Sequence, residues 1–266
     1  MNCTICGSNL AEPLFTGRIL AKYDTGYFYC RECGHLQTES PFWLKEAYES
    51  ALTLNDTGII SRNTALAARI APILYFLFGK DHTFLDWGAG YGLFVRLMRD
   101  TGFDFRWHDQ YAQNLFARGF EYHQDKIELI TCFEVFEHLP DPVAQLDEML
   151  KAADTILFST ELYSEKNVPA RQQDWHYFAP EHGQHISFFS IRTLEYIAAK
   201  KNLNLVSNNK NLHLFSRNPV KHKKILRFLL SVHRLMLIPI NEYVCRKMKS
   251  RTFSDSGLSG KNTVNK

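Results

Sequence analysis

The segment Thr83–Gly92 constrains the fold of this chain more than any other part of its sequence. A short apolar run ends at Asp86, and three glycines then occupy alternate positions, Gly88, Gly90 and Gly92. An amphipathic run follows the last glycine directly. This order predicts a buried strand, a tight turn and a helix. Glycine suits the turn because it lacks a Cβ, so the backbone can bend sharply or approach a ligand closely.

The pattern Asp-x-Gly-x-Gly-x-Gly after a strand resembles the first motif of the class I S-adenosylmethionine-dependent methyltransferases. The resemblance implies an α/β fold with a doubly wound, mostly parallel, seven-stranded sheet. It also implies that Asp86, Gly88, Ala89, Gly90 and Gly92 hold the amino-acid part of S-adenosylmethionine. A tight turn without a ligand is the alternative. Dinucleotide-binding dehydrogenases also have a glycine turn after their first strand, but there the third glycine follows the second by three residues. Here the spacing is two residues, which argues against a dehydrogenase.

A second strand is predicted over residues 103–109, and it ends at Asp109, 23 residues beyond Asp86. In the family that the first motif resembles, an acid at this position accepts hydrogen bonds from both ribose hydroxyls. A carboxylate suits this role because it can accept two bonds at once. The resemblance therefore assigns Asp109 and Gln110 to the cofactor, and a surface acid in a loop is the alternative. Few residues separate Phe120 from Ile127, so we expect the third strand to be very short.

The sequence Glu-Val-Phe-Glu-His-Leu-Pro-Asp-Pro, which begins at Glu134, resembles the fourth-strand motif of the same methyltransferases. The resemblance implies that Cys132, Phe133 and Glu134 line the cofactor and substrate crevice, where ligands bind at the carboxyl ends of parallel strands. A fifth strand is predicted over residues 155–160. A closing antiparallel hairpin is predicted from 204–206 and 213–215.

Residues 161–189 form a long connection, and long connections at a sheet edge commonly serve in binding or covering. Its aromatic residues Trp175, His176 and Tyr177 are suited to stacking on a sugar acceptor, although each could equally hold the loop in place. Methyl transfer needs a positioned acceptor and usually a base. The side chain of His185 is our preferred base because imidazole titrates near neutral pH. A hydrogen-bonded structural histidine is the alternative.

Glu134, Glu137 and His138 would share one face if they lie on a helical turn. Together with His185 they would suit a divalent ion that binds vicinal hydroxyls. This set resembles the metal site of small-RNA 3′-end 2′-O-methyltransferases and of some quinone-biosynthesis O-methyltransferases. Ordinary pairing of Glu and His with neighbouring groups at a helix N-terminus is the alternative.

Two matched Cys-x-x-Cys-Gly segments predict a structural Zn²⁺ site near the N-terminus. Its ligands are Cys3, Cys6, Cys30 and Cys33, and 23 residues separate the two pairs. Four thiolates suit tetrahedral Zn²⁺ and leave no open coordination position. Each glycine lets the chain curl round the metal. The intervening segment is consistent with the short strands of a zinc ribbon.

The predicted ribbon has few basic residues, only Arg18 and Lys22 between its cysteine pairs, which argues against a nucleic-acid partner. The arrangement resembles the zinc-binding region that precedes the catalytic domain of sugar C-methyltransferases. We therefore expect a zinc-ribbon module at 1–50, a class I methyltransferase domain at 51–217, and a basic helix with a disordered tail at 218–266. Asn55 or Asp56 is the predicted cap of the first helix of the catalytic domain.

The net charge of +3 is too small to indicate a nucleic-acid partner. The sequence shows neither an apolar signal segment at its start nor an apolar run long enough to span a bilayer, so we expect a cytoplasmic protein. From Lys221 to Arg251 there are nine Lys or Arg residues and one acid, Glu242. An amphipathic helix is predicted over residues 225–238 and ended or bent by Pro239. It is expected either to pack on the domain or to contact an anionic membrane or a second copy.

Three functions are compatible with the sequence. The first is a methyltransferase with a structural zinc module that acts on a small-molecule acceptor, such as a nucleotide sugar or glycan intermediate. The second is a divalent-metal-assisted O-methyltransferase that acts on RNA 3′ ends or a quinone precursor. The third is a non-catalytic zinc-ribbon binding protein that keeps the cofactor fold as a scaffold.

Overall fold

The computed structural model describes residues 1–49 and 57–259. The predicted helix cap at Asn55 or Asp56 and the last residues of the predicted tail lie outside this part of the chain. The strands of the described residues, in chain order, are β1 (Phe15–Ile19), β2 (Tyr23–Tyr29), β3 (Leu36–Thr38), β4 (Thr83–Trp87), β5 (Asp104–His108), β6 (Leu129–Cys132), β7 (Thr155–Ser159), β8 (Ser187–Phe188), β9 (Asn204–Ser207) and β10 (Leu212–Ser216). The α-helices are α1 (Leu44–Ala47), α2 (Ile59–Ile73), α3 (Leu93–Thr101), α4 (Pro142–Ala152), α5 (Ile191–Lys201), α6 (Lys223–Ser231), α7 (Arg234–Lys247) and α8 (Thr252–Ser259).

The larger sheet has the strand order β5-β4-β6-β7-β10-β9. Strand β4 pairs in parallel with β5 and β6, whereas β9 and β10 form the predicted antiparallel hairpin. The prediction of seven strands is wrong for the described residues, which contribute six. Beyond β5 there is only a single parallel bridge from Trp107 to Glu121, because the chain between Phe120 and Ile127 is too short for a strand and a helix.

The described residues form two compact units. The first unit comprises residues 1–49, 133–151 and 157–219. The second unit comprises residues 57–132, 152–156 and 220–259.

The core of the second unit lies around β4. Phe84 and Leu85 are fully buried, and the ring of Phe84 stacks on that of Phe105 in β5 with centroids 5.3 Å apart. Helix α3 turns its apolar face inward, through buried side chains such as Val95 and Met98. Burial of such side chains is the main contribution to the stability of this core, at about 1.5–3 kcal/mol for each large side chain. The predicted strand–turn–helix order is thereby confirmed.

The first unit contains the smaller, four-stranded sheet, in the order β1-β2-β3-β8. Strands β1, β2 and β3 come from the N-terminal segment, and β8 comes from the long connection after β7. In the register of β3 and β8, Leu36 lies opposite Phe188 and Gln37 opposite Ser187. An aromatic cluster packs beside this sheet, and Tyr27, Phe178 and Phe188 are fully buried in it. The N-terminal strands and the long connection therefore share one core.

The C-terminal basic segment forms two helices rather than the single helix that was predicted. The break falls after α6, where Val232 and His233 are extended and the side chain of His233 accepts a hydrogen bond from Leu235 N at 3.4 Å. Pro239 was predicted to end or bend the helix. It does not end the helix, because α7 continues through Pro239 to Lys247. Leu237 and Val244 are buried where α7 packs on α2, which offsets the lost backbone bond. No described helix is long and apolar enough to cross a membrane.

The predicted disordered tail begins as an ordered helix, α8. Asp255 of α8 is buried and receives two hydrogen bonds of 2.8 Å from the guanidinium group of Arg99 in α3. Arg99 also contacts Asp104 at 2.6 Å and lies over the ring of Phe120. The tail prediction is wrong for residues 254–259, because composition does not show that Asp255 has a buried partner far away in the sequence.

Candidate functional site

The glycine turn after β4 has the backbone conformation that its sequence predicts. Gly88, Gly90 and Gly92 all have positive φ angles, of 73°, 53° and 85°. Gly88 N and Ala89 N both donate to the carbonyl oxygen of His108, at 2.9 and 3.1 Å. A Cβ at Gly90 would meet no atom within 4 Å, whereas a Cβ at Gly92 would lie 3.0 Å from Ala117 Cβ. The turn is therefore preformed, with open space on its Gly90 side.

Asp109 follows β5, as the sequence predicts, and its carboxylate supports the glycine turn. Oδ2 accepts from Gly90 N at 2.9 Å, and Oδ1 accepts from Tyr111 N and Ala112 N at 2.7 and 2.8 Å. A carboxylate has about four acceptor positions. Oδ2 therefore keeps capacity for one further donor. Gln110 beside it is exposed.

Asp86 lies at the end of β4 and is only 5% exposed. Its Oδ1 accepts a hydrogen bond of 2.6 Å from Thr131 Oγ1 in β6. Burial raises the pKa of Asp86 to about 7, and the negative charge of Asp109 adds to the increase. The carboxyl group thus joins two neighbouring strands directly beneath the turn.

Three further residues hold this turn, and none of them belongs to a motif recognised in the sequence. The indole Nε1 of Trp107 donates to Gly90 O at 2.9 Å, Thr131 bonds Asp86, and Asn114 Oδ1 accepts from Ala117 N at 2.9 Å. The strand period gave a signal for Trp107, because residues 107 and 109 share one side of an extended chain. The role of Asn114 had no such signal, since it depends on the path of an irregular segment.

The end of β6 holds the residues that the sequence assigned to a crevice. Cys132 is fully buried within the second unit. In the first unit, Phe133 is half-buried and Glu134 is exposed, with a positive φ of 54°. The carboxylate of Glu134 accepts from Ser159 Oγ at 2.5 Å, and Glu134 N donates to the same oxygen at 2.8 Å. A non-glycine residue in this conformation is strained and is common at functional sites.

Glu137, His138 and His185 form a cluster in the first unit, where one ligand atom from each lies within 4.8 Å of the others. Glu137 and His138 lie on a single 3₁₀ turn, Phe136–His138, and Glu134 precedes that turn. Glu137 is fully buried, and the hydroxyl groups of Tyr177 and Thr160 lie beside its carboxylate without full hydrogen-bonding geometry. Burial raises the pKa of Glu137 to about 8, and the nearby charge of Glu134 adds to the increase.

Both imidazoles of this cluster are oriented by backbone carbonyl groups. His185 Nδ1 lies 2.6 Å from Tyr177 O, and His138 Nδ1 lies 3.1 Å from Gln184 O. A carbonyl can only accept, so each Nδ1 carries the proton and each Nε2 carries a lone pair. Burial lowers the pKa of His138 to about 4 and of His185 to about 3. Both rings are therefore neutral at pH 7.

The three predicted acceptor contacts lie in different environments. Trp175 is half-buried in the aromatic cluster, and its Nε1 donates to Glu161 Oε1 at 3.1 Å. His176 is 79% exposed, and its Nε2 lies 3.5 Å from Glu161 Oε2. Tyr177 is buried, and its hydroxyl lies beside Glu137 and Thr160 without full hydrogen-bonding geometry. His176 and Glu161 are thus accessible, whereas Trp175 anchors the segment.

The four N-terminal cysteines come together as predicted. One sulfur atom from each lies within 4.8 Å of the others, with Cys3 to Cys33 at 3.6 Å and Cys6 to Cys30 at 3.4 Å. A tetrahedral Zn²⁺ with bonds of about 2.3 Å would separate its sulfur ligands by about 3.8 Å. Disulfide sulfurs would be about 2.05 Å apart. The arrangement fits Zn²⁺ and not disulfides.

Each cysteine turn ends in a glycine with positive φ, Gly7 at 82° and Gly34 at 67°. Gly34 O is a shared acceptor for three hydroxyl groups, from Tyr163, from Ser190 at 3.1 Å and from Thr193 at 2.5 Å. Ser190 and Thr193 belong to the N-terminal cap of α5, which is a capping box. The cysteine turn and the start of α5 are therefore joined directly.

The fold and the glycine turn define a Rossmann-like methyltransferase domain. Residues 60–208, more than half of the chain, match the protein family described as "Methyltransferase domain". The chain belongs to this family of S-adenosylmethionine-dependent methyltransferases.

No curated protein matches the chain by sequence. Among solved structures it is similar to TnmH, with 15% identity and a TM-score of 0.47, over 67% of this chain and 62% of that one. For the mitomycin 7-O-methyltransferase MmcR the identity is 15% and the TM-score 0.43, over 59% and 54%. For an O-methyltransferase family protein from Burkholderia thailandensis the identity is 12% and the TM-score is 0.43, over 67% of this chain and 68% of that one. The match spans less than two thirds of TnmH and of MmcR.

Proposed function

We propose that this protein transfers a methyl group from S-adenosylmethionine to a hydroxyl-bearing small molecule of the sugar or glycan type. The preformed glycine turn, tied to Asp109 by the bond from Gly90 N, carries the proposal. When bound, S-adenosylmethionine supplies an electrophilic methyl group on a sulfonium centre. The protein's task is to bind the donor and to orient the acceptor.

The residues around the glycine turn are compatible with binding of S-adenosylmethionine. The open space beside Gly90 admits the amino-acid part without a steric barrier. The remaining acceptor position of Asp109 suits a ribose hydroxyl, because charge-assisted hydrogen bonds to a carboxylate are strong. Asp86 and Trp107 would support the turn from behind rather than touch the cofactor.

The acceptor class is supported by the accessible pair Glu161 and His176 beside the aromatic segment. A carboxylate and an imidazole can both hydrogen-bond to sugar hydroxyls, and aromatic rings can pack on sugar faces. The resemblance of the cysteine region to that of sugar C-methyltransferases supports the same class.

The test is calorimetry with S-adenosylmethionine, followed by an assay for S-adenosylhomocysteine release with a panel of nucleotide sugars. We expect saturable binding of the donor, and product with at least one sugar. Absence of donor binding by folded protein would refute the function as a whole. Donor binding with product only from non-sugar acceptors would refute the acceptor class alone.

A second candidate function is divalent-metal-assisted O-methyl transfer, on RNA 3′ ends or on a quinone precursor. The observation that favours it is the cluster of Glu137, His138 and His185. A ring that donates Nδ1–H to a carbonyl and keeps its Nε2 lone pair is arranged as metal-binding histidines are. A cation would also compensate the buried carboxylate of Glu137, which is costly to ionise alone. The low pKa of His185, about 3, makes it a weak general base and favours the ligand role over the catalytic base that we predicted.

Addition of Mn²⁺ to the chelated protein distinguishes the two candidates. Metal assistance predicts a rise in Tm on adding Mn²⁺, and activity that is lost on chelation and restored by the metal. Glu137→Gln and His185→Ala would abolish these responses. His182→Ala is the matched control, because His182 lies close to His185 but outside the cluster. Activity that is insensitive to chelation would exclude this candidate. Any methyl turnover would exclude the non-catalytic scaffold.

A further inference from the structure

Helix α6 has two different faces. Leu226, Leu229 and Leu230 are buried at helical spacing, on the side where α6 packs against α2. The guanidinium NH1 of Arg69 in α2 donates to Leu229 O at 2.9 Å and to Leu230 O at 3.2 Å. These bonds occupy carbonyl groups that a helix C-terminus leaves free. The helix is thus held on the second unit, and its other face is presented to solvent in a fixed orientation.

The outer face of α6 combines apolar and cationic side chains. Ile225 and Phe228 are 51% and 56% exposed. Lys224 and Arg227, on the same helix, are also exposed. An open surface cavity of about 480 Å³ is lined by residues of this helix, namely Lys223, Lys224, Arg227, Phe228 and Ser231. The lining contains three cationic groups, a hydroxyl and an aromatic ring, and no acid. Such a lining matches a phosphate group attached to an apolar body.

The start of α7 extends this pattern. Leu235, Met236 and Ile238 are between 50% and 61% exposed, although the opposite face of α7 is buried on α2. From Val220 to Asn241 the sequence has five Lys or Arg residues and no Asp or Glu. Exposed large apolar side chains are usually scattered singly, and a concentration of them marks an interaction surface.

We propose that the outer face of α6 and the first turns of α7 bind the surface of an anionic phospholipid bilayer. Ile225, Phe228, Leu235 and Met236 would enter the boundary between headgroups and acyl chains, while Lys224 and Arg227 contact lipid phosphates. A second copy of the same face is a poorer partner, because Lys223, Lys224 and Arg227 would oppose their own copies and the lining of the cavity contains no acid. A nucleic acid would use the cations but leave the apolar side chains in water. This inference is independent of the proposed methyl acceptor.

The test is co-sedimentation of the full chain with vesicles of phosphatidylcholine alone and of phosphatidylcholine mixed with phosphatidylglycerol, without methyl donor. We expect binding to the mixed vesicles only, weakened by salt. Lys224→Glu with Arg227→Glu should lower the partition coefficient about 25-fold or more, at about fivefold for each charge near the surface. Ile225→Ser with Phe228→Ser should lower it about tenfold or more, because apolar burial is lost.

Matched controls come from exposed residues of the same unit. Ile60→Ser removes an apolar side chain that is 68% exposed on α2, and Lys80→Glu with Lys126→Glu reverses two exposed charges elsewhere. Both controls should bind as the unaltered protein does. Thermal unfolding of every variant verifies that the helices remain packed.

Three results would overturn the proposal. The first is equal or absent binding to the two vesicle types by folded protein. The second is full vesicle binding by the variant with Ile225→Ser and Phe228→Ser. That result would indicate that the face binds through charge attraction alone, as it would bind a nucleic acid. The third is dimerisation in sedimentation velocity that the serine variant abolishes, which would assign the face to a second copy.

Discussion

Gly90 N and Asp109 Oδ2 are joined by a hydrogen bond of 2.9 Å that links the glycine turn to the end of the next strand. The carboxylate fixes the turn, and under the proposed function it would also accept a hydrogen bond from a ribose hydroxyl of the cofactor. A backbone donor fixes the orientation of the carboxylate before any ligand binds. Preorganisation of this kind lowers the entropic cost of binding.

We expect Asp109→Ala to weaken S-adenosylmethionine binding by about 100-fold or more, because hydrogen bonds to charged groups contribute about 1.5–3 kcal/mol each. Asp109→Asn, which keeps one acceptor oxygen, should lose less. Calorimetry measures both constants. Asp125→Ala is the matched control, since Asp125 is 42% exposed and pairs with Arg106 on the surface. Unchanged affinity in folded Asp109→Ala protein would contradict the assignment.

The cysteine cluster should contain one Zn²⁺ per chain, measurable by elemental analysis. Cys33→Ser should lose the metal, because a hydroxyl is a poor substitute for a thiolate ligand. We expect its Tm to fall by about 10 °C, which corresponds to roughly 3 kcal/mol in a chain of this size. Cys245→Ser is the control, because Cys245 is exposed and lies outside the cluster. The prediction would be contradicted if wild-type protein without metal had the same Tm as wild-type protein with metal.

The ion pair between Arg99 and Asp255 should hold α8 in place. Replacing Asp255 with Asn leaves a buried guanidinium with only Asp104 as a charged partner, at an expected cost of about 3 kcal/mol in the free energy of unfolding. Urea unfolding measures it, and Asp147→Asn is the control, because Asp147 is 47% exposed and pairs with Lys201 away from α8. Equal losses in the two variants would show that burial of the pair does not matter.

The same pair has a definite pH dependence. Burial alone would raise the pKa of Asp255, but the hydrogen bonds and charge of Arg99 outweigh it, and the pKa lies below its ordinary value. The unfolded chain therefore binds this proton more readily than the folded chain. The contribution of the pair is complete above the ordinary pKa of an aspartate and is lost as the pH falls through the folded value.

His213 should destabilise the protein as the pH falls below about 6.5. It is fully buried, its Nε2 donates to Thr160 O at 3.0 Å, and its Nδ1 accepts a bond of 2.8 Å from Ser207 Oγ. Burial lowers its pKa to about 4. The unfolded chain gains the proton first, so stability falls between pH 6.5 and 4, by about 3 kcal/mol in total.

His213→Gln removes this titration while its side-chain amide can still donate to Thr160 O. We expect its free energy of unfolding to vary less with pH than that of the unaltered protein. Urea unfolding at several pH values measures the slopes. His123→Gln, which changes an exposed histidine, should leave the slope as it was. Identical slopes for His213→Gln and the unaltered protein would refute the linkage.

Local sequence signals predicted the parts of the fold that depend on short-range interactions. The glycine turn follows from three glycines that come directly after a strand end. The gathering of four cysteines followed from their paired spacing. In each case the residues that fix the geometry lie within a few positions of one another or repeat an obvious pattern.

Long-range partners explain what the sequence could not show. The two-residue strand β8 is too short to give a periodic signal, and it forms only because β3 offers it a paired edge. The ordered α8 depends on Arg99, and the path of α7 through Pro239 depends on packing against α2. The carbonyl groups that orient His138 and His185 are set by loop conformation, so the sequence alone showed the imidazoles but not their tautomers.

The carbonyl of Gly34 offers one acceptor to hydroxyl groups from three distant positions. A methyltransferase that lost its cysteine turns would also lose the anchor for the start of α5 and the edge on which β8 forms. The N-terminal strands are therefore not an independent domain that could be exchanged between proteins. They and the segment after β7 depend on each other for their structure within the first unit.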